Sequence, residues 1–204
     1  MQERSGAFGE NMNLHTLHRL IKWPDGFVIR SIRAGLLAFL LGYGLPVTYA
    51  PAKADSILEY QVKAAFIYNF IAFTQWPGNA ASAINLCLYG EDYFRQEIDK
   101  LQNKPVGPHP IKVMRISDSN QLPQCQVIFF SKSVNNTMTD IISSLESYPI
   151  LMLADTPDAI SQGITINMSL VNEKIVFEIN LKSARKSGLD ISSKLLQLAI
   201  KVHQ

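Results

Sequence analysis

Two short runs constrain this chain more than anything else in it: Val127 to Phe130 and Ile150 to Leu153 are apolar at every position. A strand with one wet face alternates apolar and polar residues, so an unbroken apolar run belongs to a strand covered on both faces, as in the middle of a parallel sheet. Around these two, short apolar runs alternate with amphipathic ones. The strands read as Ile84 to Gly90, Ile111 to Ile116, Val127 to Phe130, Ile150 to Leu153, Ile164 to Leu170 and Lys174 to Ile179, with helices over Tyr93 to Gln102 and Val134 to Ser147. That alternation is the pattern of an α/β fold whose sheet carries helices on both faces. Only Val171, Asn172 and Glu173 separate the last two strands, too few for a crossover, so these pair as an antiparallel hairpin. The expected architecture is a three-layer sandwich with a mostly parallel, Rossmann-like sheet and the hairpin at one edge.

Ahead of the first strand, Ser56 and Glu59 form a capping box that predicts a helix from Ile57 to about Thr74, ended by Trp76 and Pro77. Apolar residues surround nearly the whole of this helix, giving it more apolar perimeter than one sheet face covers. Phe66, Phe70, Phe73 and Trp76 are therefore expected at a homodimer contact. At the other end of the chain, a short helix from Leu181 to Lys186 stops at Gly188, where a left-handed glycine lets Leu189 fold back. A last helix follows, capped by Ser192, with Leu195, Leu196, Ala199, Ile200 and Val202 as its apolar face.

Upstream, Arg30 and Arg33 precede an apolar run from Ala34 to Val47, broken by Gly42, Gly44 and Pro46 and followed by Ala52 and Ala54. The run is short for a span and ends on a small-x-small pair, which reads as a signal peptide cleaved after Ala54; an uncleaved membrane anchor is the alternative. Residues 1–54 are then a leader and 55–204 a single domain, with no stable membrane insertion after cleavage. Removing the leader reduces Lys and Arg from 19 to 13 and Asp and Glu from 17 to 14, so the apparent basicity belongs to the leader. No basic block remains for nucleic acid.

Both cysteines, Cys87 and Cys125, lie after the leader, beside apolar strand-like runs. In an oxidising compartment they pair if those strands are neighbours; otherwise they are two buried thiols. Catalytic constellations are missing from the sequence: the only histidines after the leader are His109, between two prolines, and His203. No cofactor or metal is expected. Gly90, Glu91 and Asp92 read as a turn with Asp92 as cap, Ser131 as the cap of the next helix, and Asp155 as a turn residue or a ligand contact beyond a strand end.

The runs EYQVKAAFIYNFIAFTQWP, INLCLYGEDYF, CQVIFFSKS and GITINMSLVNEKIVFEINLKSARKSGLDISSKLLQLA together resemble the YfiR-like family of the DUF4154 type, from Glu59 to Val202. Phe73 with Trp76 and Pro77, the FEIN run Phe177 to Asn180, and Gly188-Leu189 followed by Ile191 to Leu196 carry the resemblance most specifically, and Cys87 and Cys125 match family cysteines. A second cysteine pair found in some members is missing. The resemblance implies a periplasmic, non-enzymatic regulator that binds the periplasmic domain of an inner-membrane diguanylate cyclase and represses it. An OmpA-like outer-membrane lipoprotein is the partner that would sequester the regulator. Among the family-matching positions, Glu178, Asn180, Arg185 and Lys194 are expected to form the partner-binding face, against the plainer alternative that Asn180 and Lys194 cap or solvate helix ends. A periplasmic sensor of a small ligand is the competing function.

Overall fold

The computed structural model describes residues 52–78 and 82–204; apart from 52–54, the expected leader lies outside the described residues. Helix α1, Ala52–Ala72, leads into β1, Thr74–Gln75, and β2, Ile84–Tyr89. A short helix α2, Gln96–Asp99, precedes the strands β3, Pro105–Val106, and β4, His109–Ile116. A 3-10 turn, Ser119–Gln124, feeds β5, Val127–Phe130, and a second, Lys132–Val134, leads to α3, Met138–Ser144, and β6, Leu151–Ala154. The chain closes with β7, Ile166–Val171, β8, Lys174–Asn180, α4, Leu181–Lys186, β9, Asp190–Ile191, α5, Ser193–Leu198, and β10, Lys201–His203.

The main sheet has eight strands in the order β10-β8-β7-β6-β5-β2-β4-β3, with β1 and β9 forming a separate antiparallel pair. Its middle strands are parallel, as the unbroken apolar runs require, and β5 and β6 are buried at all four of their positions. Period-two alternation divides these side chains between two cores. Leu86, Leu88, Val127, Phe129, Leu151 and Leu153 face α1, whereas Cys87, Ile128, Phe130, Met152 and Ala154 face α3 and the first 3-10 turn. The result is the expected three-layer α/β sandwich.

Several expectations need correction. The β7–β8 hairpin is not the sheet's edge, because β10 adds to β8 in parallel, with Val202 opposite Ile179. Val202 therefore lies on a strand, not on a helix face: the last helix ends at Leu198, Ala199 is extended, and the Ile200 N–H donates to the Phe177 carbonyl at 3.0 Å. The β-branched pair Ile200 and Val202 suits that extended path. Helix α1 begins at Ala52, ahead of the Ser56 cap expected for it, and includes the three residues before the expected cleavage point. The helix expected over Tyr93 to Gln102 shrinks to Gln96–Asp99, since Asp92 Oδ1 accepts from the Phe94 and Arg95 N–H groups and Arg95 takes a φ of 53°. His109, between its two prolines, opens β4 and pairs with Val106.

The structure contains a Cys87–Cys125 disulfide with a Cα–Cα distance of 6.1 Å. Strands β2 and β5 are neighbours, but Cys87 stands opposite Ile128, so the bridge ties β2 to the turn that feeds β5 and not to a level strand position. At the far end of α1, Trp76 Nε1 donates to the Gln126 carbonyl at 3.3 Å, one residue past that cysteine. The Gly188 C-cap forms as expected: with φ at 69° it lets the Leu189 N–H reach the Ala184 carbonyl at 2.9 Å and buries Leu189.

Of the four residues expected at a dimer contact, Phe70 is not available to one. Phe70 is fully enclosed, its ring 4.9 Å from that of Phe177 on β8, and Phe66, Phe73 and Trp76 are half-buried against the same core. The sheet and the 93–101 segment cover much of the helix within one chain, and an exposed stripe through Leu58, Val62, Ala65 and Asn69 remains. Tyr60 on α1 meets Phe94 at 4.9 Å, and Phe94 meets Phe129 of β5 at 4.8 Å. The large apolar residues that α1 leaves exposed are Ile57, Leu58 and Val62.

Candidate functional site

The expected partner-binding residues fall into two kinds. Glu178 and Asn180, two apart on β8, share the strand face opposite Phe177 and Ile179. Asn180 Oδ1 caps α4 by accepting from the Ser183 N–H at 3.0 Å, while its amide donates to the Ile160 carbonyl at 3.3 Å, so this residue holds structure. Glu178 lies 2.6 Å from His203 Nε2, a contact that joins β8 to the edge strand β10. Arg185 on α4 and Lys194 on α5 are exposed, and no described hydrogen bond or ion pair links either to Glu178 or Asn180. Lys194 follows the Ser192 cap, whose Oγ accepts its N–H at 3.3 Å.

Beside these basic residues the chain exposes Leu198 (67 %) and Ile200 (60 %), which flank the start of β10. Residues 181–204 contain five Lys or Arg and one acidic residue. This end of the molecule therefore offers an apolar centre, a basic surround and the free side of a sheet edge.

A second constellation lies at the opposite end of the strands. From β2 the chain crosses to β4 on one side, and β5 lies on the other, so the carboxyl ends of β2 and β5 form a topological switch point, where open α/β sheets bind ligands. Gly90 closes β2 with φ at 96°, and a Cβ there would stand 2.6 Å from Ser131 Oγ and 2.7 Å from Ser133 Oγ. Only glycine allows the two loops to approach so closely. Ser131 caps the turn after β5, as expected, and Ser133 Oγ accepts the Glu91 N–H at 2.8 Å.

Next to this seam, Lys63 of α1 is buried at 2 % exposure and pairs with Asp155 Oδ2 at 2.6 Å and with Glu59. Tyr60 donates to the same Asp155 oxygen at 2.8 Å. Burial, and after it the Asp155 carboxylate, push the Tyr60 phenol well above its ordinary value; the hydrogen bond to Glu91 Oε2, followed by desolvation, raises that of Tyr93. Asp155 Oδ1, Thr156 Oγ1 and Asn167 Oδ1 are buried with no partner among the described residues. Asp155 is thus an ion-pair partner at a strand end, where the sequence offered a turn or a ligand contact.

With this geometry in place, the comparisons are specific about family. The YfiR/HmsC-like family (DUF4154) matches residues 60–200. The chain belongs to that family. The match spans the switch-point crevice, the disulfide, the FEIN run and α5. Among solved structures, a conserved domain protein from Vibrio cholerae O1 biovar El Tor is similar at 8 % identity with a TM-score of 0.49. An ABC domain from Streptococcus pneumoniae, solved in complex with L-Trp, is similar at 11 % identity with a TM-score of 0.48. Each match covers 70 % of this chain and 60 % of the other.

In this YfiR/HmsC-like chain, the residue that sequence reading passed over is Lys63. Its signal was present: one cation in a helix apolar nearly all round, four residues after Glu59. A charge on such a helix needs a buried partner, and Asp155, 92 positions away, supplies it.

Proposed function

We propose that this protein is a periplasmic regulator that binds the periplasmic domain of an inner-membrane diguanylate cyclase and holds it inactive, lowering cyclic di-GMP output and biofilm formation. The observation that carries this reading is the family match over residues 60–200, since YfiR-like proteins are regulatory rather than catalytic. An OmpA-like outer-membrane lipoprotein is its second partner, sequestering it from the cyclase. The docking surface is the C-terminal end, where exposed Leu198 and Ile200 supply the apolar anchor and Arg185, Lys194 and Lys201 the charge. That charge selects an acidic segment on the cyclase.

The protein acts as a homodimer through the residues α1 leaves exposed. Leu58 and Val62 adjoin Leu170 and Ile175 of the hairpin around one groove, with Glu59, Glu173 and Lys174 on its rim. Opposite charges on one rim allow the patch to face its own copy across a two-fold axis.

Pull-down with the cyclase's periplasmic domain, followed by measurement of cyclic di-GMP synthesis, tests the reading. Ile200→Asp and Arg185→Glu are each expected to weaken binding by about 2 kcal/mol while leaving the melting temperature nearly unchanged. Asn180→Ala is expected to lower stability instead. A correctly folded protein that neither binds nor represses the cyclase refutes the proposal.

A further inference from the structure

We propose that the cavity between α1 and the segment after β2, beside the switch point, is a binding site for a small organic cation, an amine whose ammonium group rests on the faces of Tyr60 and Tyr93 beside Glu91. The inference is independent of cyclase binding. It starts from a cavity of about 430 Å³ lined by α1 and the segment after β2, including Ile57, Tyr60, Glu91, Tyr93 and Phe94. That volume lies within the range of small-molecule sites.

The lining has the chemistry of a cation site. The rings of Tyr60 and Tyr93 stack 5.8 Å apart at 20°, presenting π-faces that attract positive charge and repel anions. The chain already places cations on them: the buried Lys63 Nζ lies 4.4 Å from the Tyr60 centroid, and Lys132 Nζ lies 5.7 Å from that centroid and 5.0 Å from that of Tyr93. Lys132 is exposed on a 3-10 turn, so its ammonium is free to leave the rings for solvent. Tyr93 donates to Glu91, which fixes that ring and holds a carboxylate beside it.

The charge balance points the same way. Among the carboxylates at this end, Asp92 is held by Arg115 and Glu97 by Lys100, which leaves Glu59, Glu91 and Asp155 against Lys63, Lys132 and the cavity-lining Arg95. When Lys132 swings out, Lys63 and Arg95 face three carboxylates, and one negative charge is left over. Asp155 lies buried behind Tyr60, outside the cavity lining: Oδ2 takes both Tyr60 and Lys63, and Oδ1 has no donor among the described residues. Lys132 is thus an internal occupant that an amine displaces.

Isothermal titration of the purified full-length chain tests this, with choline, putrescine and phenethylamine as cationic probes and acetate and phosphate as anionic ones. At least one amine is expected to bind with 1:1 stoichiometry. Tyr93→Ala and Glu91→Gln should each weaken it by about tenfold, and Lys132→Met should tighten it several-fold by removing the competitor. Glu91→Gln and Lys132→Met replace exposed charges, so their results do not depend on the folding of Tyr93→Ala. Absence of amine binding in both the unmodified chain and Lys132→Met overturns the proposal. So does anion binding that Lys132→Met abolishes, or amine affinity that Glu91→Gln leaves unchanged.

Discussion

The two faces of the sheet are covered by different means. On one, a single helix of 21 residues lays Ile67, Phe70 and Ile71 across the strands, with aromatic contacts passing from Tyr60 through Phe94 to Phe129. On the other, the cover is the seven-residue α3 and a 3-10 turn, and the Cys87–Cys125 bridge pins that turn to β2. A long helix buries enough apolar area to hold its own position. Short elements bury little, and there a covalent link supplies what packing does not.

Three measurements test this contrast. Phe70→Ala attacks the packed face and is expected to cost about 3–5 kcal/mol in chemical denaturation, because a fully enclosed aromatic leaves a cavity behind. Replacing both cysteines with serine attacks the stapled face. The loss expected there is about 2–4 kcal/mol, and hydrogen exchange should quicken first around Ser119–Gln124 and α3 while α1 stays protected. Equal loosening of both faces would show that they unfold as one unit.

The smallest effect is a pH dependence on the helix side. The fold favours the neutral Tyr60 phenol, so its contribution is complete below the ordinary tyrosine value of 10.0 and is lost as pH rises above it. Tyr60→Phe should cost about 1 kcal/mol at neutral pH, through the lost bond to Asp155, and flatten the alkaline part of the stability curve. An unchanged alkaline slope would assign that loss to another group.

Local chemistry made much of this fold legible. Val127 to Phe130 matches its strand to the residue, because an apolar run of that length between turn signals is too short for a buried helix, and Leu181 to Lys186 is bounded by Asn180 and Gly188, whose roles are local. The failures share a non-local cause. Val202 fits a helix face by spacing, and only the free side of β8, which no window around Val202 contains, makes it a strand residue. Phe70 lies on a helix with apolar residues on every side, and the sequence does not say that Phe177 covers it. The candidate surfaces divide likewise: Arg185 and Lys194 are exposed as expected, Asn180 is a cap, and Lys63 with Asp155 emerges only when α1 meets the end of β6.

The Trp76 contact has an optical consequence. The chain has two tryptophans, Trp23 and Trp76, so cleavage after Ala54, expected from the sequence, would leave a single indole, the one that donates to the carbonyl of the residue following Cys125. The emission of that fluorophore is set by a hydrogen bond one peptide unit from the disulfide. Reduction of the bridge, which permits the 119–126 segment to move, is therefore readable as a change in intrinsic fluorescence without any label, and its time course reports the opening of the stapled face by itself.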